Sequence, residues 1–148
     1  MAFRLPLQAV LHLRQSIEHQ QELRLRAANQ QVARVRRRLE QLDERIKLDQ
    51  NRSARALMAG TTSAELRFTQ IAETSLLAHR EELKQELARV QFLRDQQQQV
   101  FQKARRECET LEVLREQQLL QYQKEQARRE QRELDEAFLS QMSYRRRG

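Results

Sequence analysis

Few residues in this chain have the types and spacing that chemistry requires. Cys108 is the one cysteine, and a nucleophilic thiolate needs a positioned base and a lowered pKa beside it. His12 and His19 stand seven residues apart, on one face of a helix, with Glu18 and Glu22 nearby. That spacing suits a metal ion, yet helix surfaces carry such residues by composition alone; His79 stands apart from both. Arg34, Arg36, Arg37 and Arg38 form a basic cluster, and Arg145, Arg146 and Arg147 a second. Clustered arginines bind phosphates or carboxylates. With two glycines, one of them terminal, a glycine-rich phosphate loop has nothing to be built from. No carboxylate pair in a cleft and no strand-turn-helix nucleophile is legible, so the sequence predicts a non-enzyme with no cofactor and no metal.

These residues ride on elements whose pattern is plain. Of 148 residues, 33% are charged, 5% are aromatic and one is proline. Charged chains with so few helix breakers form long helices and coiled coils, or else stay unfolded. Periodicity decides between the two. Leu25, Ala28, Val32, Val35, Leu39, Leu42 and Ile46 follow alternating steps of three and four over three heptads, the seam of a coiled coil. Carried backwards, the same heptads put Arg14, Glu18 and Gln21 in the seam. Cys108 falls in the seam of a second helix, which favours a small buried residue over a reactive one.

Helix one is expected from about Pro6, suited to a first helical turn, to about Met58. Gly60 can then close it in the left-handed conformation. Thr62-Ser63-Ala64-Glu65 has the form of a capping box that opens the next helix. A stop followed at once by a start predicts a helical hairpin in preference to a bent continuous helix. The fold class is therefore all-α: an antiparallel two-helix coiled-coil hairpin with the second helix longer. We expect a single coiled-coil domain over residues 1–148. Its parts are helix one at about 6–58, a turn at about 59–62, helix two at about 63–144 and a basic tail at 145–148.

In helix two the expected seam passes Leu66, Phe68, Ile71, Leu76, Leu83, Leu87, Val90, Leu93, Gln97, Val100, Phe101, Ala104, Cys108, Leu111 and Leu114. This suggests a drifting register with Gln97 in the seam. At about 1.5 Å per residue the helices span roughly 80 and 120 Å. Folding near residue 60 places Pro6 opposite about residue 115, and the remainder of helix two overhangs. An isolated helix is marginally stable, so this end needs a partner. Leu134, Phe138 and Met142, at steps of four, offer the face for one. Homodimerisation through the same face is the alternative.

Residues 1–60 carry 12 basic and 6 acidic side chains, and residues 61–148 carry 16 and 15, for a net charge of +7. Acidic partners are favoured. Val35 belongs to the seam, so the arginines around it read as a solvated flank and not as the basic region of a zipper protein. The cysteine count fits a reducing compartment. The start resembles no secretory signal, and no run of apolar residues is long enough for a membrane span. A cytoplasmic location is expected.

The opening FRLPLQAVLHLR resembles the start of FliJ proteins, small coiled-coil components of bacterial flagellar type III export. EQARREQRELDEAF, with Asp135-Glu136, resembles that family's charged closing stretch, and LEVL precedes a polar tail as it does there. The likeness spans essentially the whole chain. It implies a hairpin similar to the central shaft of rotary ATPases. The end with both termini would enter the pore of the hexameric export ATPase (FliI type), through Phe3, Arg4, Leu7, Leu134, Phe138 and Met142. The export gate protein (FlhA type) would meet Phe68 and Ile71, and export chaperones would be escorted. It also implies a peripheral place at the cytoplasmic face of the inner membrane. The other readings are an injectisome stalk, a free-standing coiled-coil scaffold and a basic helical protein on nucleic acid.

Overall fold

The computed structural model describes residues 7–147. Two helices account for nearly all of them, α1 (Gln8–Ala59) and α2 (Ser63–Arg147), packed against each other as a hairpin. The expected helix start at Pro6 lies outside the described residues. α2 runs on through Arg145, Arg146 and Arg147; these cations sit where the helix dipole favours them, so the stretch expected as a tail is helical.

Gly60 ends α1 with φ +91°, the one positive φ among the described residues. Thr62 then caps α2, its Oγ1 accepting from the Glu65 N–H at 3.3 Å. The return bond from the Glu65 carboxylate is not made, so half of the expected capping box forms.

The chain divides into two compact units. One comprises Met1–Glu18 with Lys103–Gly148, of which 7–18 and 103–147 are described, and the other His19–Gln102.

In the second unit, Val32, Val35 and Val90 are buried together with Leu87 packed on them. Leu42, Ile46 and Leu83 form a second cluster with Leu39 and Leu76. Rising numbers on α1 meet falling numbers on α2, which makes the pairing antiparallel. All seven residues of the heptad run from Leu25 to Ile46 are buried or half-buried.

α2 corrects the expected drift. A seam of buried and half-buried positions runs through 66, 69, 73, 76, 80, 83, 87, 90, 94, 97, 101, 104, 108 and 111, an unbroken alternation of three and four. Phe68, Ile71, Leu93, Val100 and Leu114 lie outside it and are exposed. The seam takes Thr69, Glu73, Arg80 and Arg94 in their place, and Gln97 as expected.

Those polar residues find partners within the same unit. Gln97 Nε2 donates to Gln21 Oε1 at 2.7 Å and to the Gln21 carbonyl at 3.3 Å. Arg80 Nε donates to Asp43, which raises the arginine's pKa through that hydrogen bond and the paired charge. Gln50 donates to Glu73 at 3.2 Å. Such pairs weaken a seam and at the same time fix its alignment.

In the first unit, Leu11, Ala104 and Cys108 are buried. Arg14 pairs with Glu107 at 2.9 Å. Ile17, Glu18 and Leu111 are half-buried around them. From Ala127 to Arg147 every residue of α2 is exposed.

Candidate functional site: exposed helix faces

Within the first unit, α2 outlasts the stretch of α1 that covers it. Leu134 is 65% exposed, Phe138 62% and Leu139 63%, with Met142 at 41%. Apolar side chains this open on a helix without a covering element make a candidate interaction surface. Sequence reasoning named Leu134, Phe138 and Met142 and missed Leu139, which lies between two of them. Leu7, in the turn before α1, is half-buried. Phe3 and Arg4, expected to join the same contact, lie outside the described residues.

In the second unit, Phe68 and Ile71 are 75% and 70% exposed on the first turns of α2. Phe68 edges a groove lined by Ile46, Asp49, Ser53, Thr69 and Leu76. Ile71 lies in a shallower depression with Arg67, Thr74 and Ala78, so the two open onto different grooves. The seam here is built of Asp49, Ser53, Thr69 and Glu73. Small and polar residues leave space that the larger apolar seam residues fill further along.

The basic flank is more regular than its sequence cluster suggests. With Val32 and Val35 as heptad positions a and d, Arg24, Arg38, Arg45 and Arg52 fall at g. Arg34 and Arg55 fall at c, and Arg37 at f. Glu44 is the one carboxylate at those positions between His19 and Ala59. None of the seven arginines makes an ion pair or side-chain hydrogen bond among the described residues. They form an uncompensated cationic side to α1, suited to carboxylates or phosphates.

Cys108 is 1% exposed, and burial with a hydrogen bond to Glu18 pushes its thiol up to about 11. A thiol so held is neutral and unreactive at physiological pH. His19 Nδ1 lies 3.9 Å from Glu22 Oε2 on an exposed surface. No group of three metal-capable side chains occurs among the described residues, nor any helix long and apolar enough to cross a membrane.

Open grooves, unpaired charge and free apolar stripes are here the surface features of a two-helix coiled-coil protein. The family model described as flagellar FliJ protein matches residues 3–148, and the chain belongs to that family. It is a coiled-coil protein related to flagellar export. No characterised protein and no solved structure matches it.

Proposed function

We propose that this chain is the non-enzymatic stalk and escort protein of flagellar type III export. Its uncovered end of α2, with Leu134, Phe138 and Met142, enters the pore of the hexameric export ATPase, joined by Phe3, Arg4 and Leu7. Phe68 and Ile71 engage the export gate protein, and export chaperones are handled between the two. The protein works in the cytoplasm, held at the inner membrane's cytoplasmic face by the export apparatus.

One observation carries this reading: a family member's α2 continues as solvated helix with its large apolar residues open. A helix without a partner is marginal, and enclosure by a pore would order it while burying Leu134 and Phe138. Each buried side chain of that size contributes about 1.5–3 kcal/mol.

The test mixes the full chain with a FliI-type ATPase. Hydrolysis and the hexamer fraction rise with the native chain and fall back with Phe138→Glu. Unchanged hydrolysis and assembly on adding the native chain overturn the proposal. Phe68→Glu leaves the ATPase response intact and weakens capture of the gate's soluble domain.

A further inference from the structure

The uncovered part of α2 carries a heptad seam of its own. Positions 120, 124, 127, 131, 134, 138, 141 and 145 follow steps of four and three without interruption. They read Leu120, Lys124, Ala127, Gln131, Leu134, Phe138, Gln141 and Arg145. Leu120, Leu134 and Phe138 are exposed by 56%, 65% and 62%. The seam that packs against α1 in this unit runs through Ala104, Cys108 and Leu111 and continues to positions 115 and 118. Residue 120 is two positions beyond 118, about 200° around the helix at 3.6 residues per turn. The second stripe therefore faces away from the side that α1 covers.

We propose that this stripe is an antiparallel dimerisation surface whose occupant is the same stripe of a second copy. The sequence is complementary to itself about the point between Arg132 and Glu133. Reversing one helix over the other sets Gln131 against the partner's Leu134 and Ala127 against the partner's Phe138. Each layer pairs an a position with a d position, as antiparallel coiled coils require. A methyl group opposite a phenyl ring keeps the layer near the width of its neighbours, within the usual 8–10 Å between helix axes.

Charge selects the same alignment. Arg128 and Asp135 occupy the flanking e positions, and reversal brings each beside the other residue of the partner, twice per dimer. Neither makes an ion pair among the described residues; Asp135 accepts a hydrogen bond from Gln131 at 3.1 Å. A parallel pairing in register would instead set each e position beside a partner g position, bringing Asp135 beside the partner's Glu130, and the two repel. Arg129 and Arg132 fall opposite the partner's Glu136 and the partner's Glu133, so the charges of this stretch, Glu130 apart, fit a reversed copy of it.

The dimer covers Leu134 and Phe138. On the ATPase reading, the second copy and the pore then compete for one face, and the unengaged chain keeps its apolar end dry. The dimer itself does not depend on that reading, because it is measured with the chain alone.

Equilibrium sedimentation of the full chain should show a reversible monomer–dimer equilibrium. Phe138→Glu removes the dimer. Arg128→Glu and Asp135→Arg each weaken it about tenfold, about 1.4 kcal/mol, and the double exchange restores it. Restoration separates a specific ion pair from damage to the helix. A chain that sediments as monomer at every accessible concentration overturns the proposal. So does a dimer indifferent to Phe138→Glu, or one that the double exchange does not rescue.

Discussion

Replacing Gly60 by alanine isolates a single physical cost. Its φ of +91° lies where residues with a Cβ are strained, but a Cβ built there meets nothing within 4 Å. Steric clash with the rest of the protein therefore contributes nothing, and the penalty is purely that of the backbone, about 1–2 kcal/mol. Asparagine tolerates left-handed geometry better, so Gly60→Asn should cost less than half as much. The alternative for the alanine variant is a helix continuing through residues 60–62, where alanine is about 1 kcal/mol better than glycine. Together these terms shift the balance from turn to straight helix by about 2–3 kcal/mol. A straightened chain recovers its seam contacts by exchanging arms with another copy. Urea unfolding should show a lower midpoint for Gly60→Ala with an unchanged slope, and light scattering should find a new, slowly exchanging dimer. That dimer persists when Phe138→Glu is added, which sets it apart from association through the end of α2. If alanine and asparagine variants unfold at the midpoint of the native chain, the backbone argument for this turn fails.

Other positions give simpler outcomes. Val35→Ala, at 1% exposure, should cost about 2 kcal/mol from two lost methyl groups and the cavity they leave, whereas Leu134→Ala should leave chemical denaturation of the monomer nearly unchanged. Converting Gln21 and Gln97 together to leucine removes a hydrogen-bonded pair but leaves no orphan. The variant should melt higher while losing a single alignment, read as multiple spin-label distances between the two helices. For Cys108 the folded thiol ionises near 11 against 9.0 for the unperturbed group. The raised value means its contribution to stability is complete below pH 9 and lost as pH climbs through about 11. Cys108→Ala should flatten that part of the stability profile, and alkylation of the native thiol at neutral pH should proceed no faster than local opening.

How much of this was legible depended on where polarity and packing agreed. From Leu25 to Ile46 every seam position is apolar, so the heptads announced themselves and the buried residues are those they named. The turn was equally open to reading, because a helix stop and a helix start share a few residues around Gly60. α2 was harder. Glu73, Arg80 and Arg94 hold seam positions while Phe68, Ile71, Leu93 and Val100 stand outside, so following the apolar residues traces a false drift. Arg80 belongs in the seam because Asp43 meets it from α1, a cross-helix fact that one helix's pattern does not contain. Stepping heptads through α2 without regard to polarity would have found the register. At the exposed faces, Leu134 and Phe138 were readable from their spacing. The alignment of seven arginines on one side was hidden, since a linear cluster at 34–38 masks the members at 24, 45, 52 and 55.

That row of guanidinium groups makes the hairpin of the second unit responsive to its ionic surroundings. Arg38, Arg45 and Arg52 follow one another about 10 Å apart along the helix, close to the distance over which physiological salt extinguishes a charge. In cell-like buffer those three barely feel one another, and repulsion is confined to near neighbours such as Arg34 and Arg38. Dilute the electrolyte and mutual repulsion spreads along the whole side, straining a seam that already contains glutamines and a buried-edge arginine. A docking surface lined with carboxylates would then act as a solid counterion, relieving that repulsion permanently where dissolved ions do so only on average.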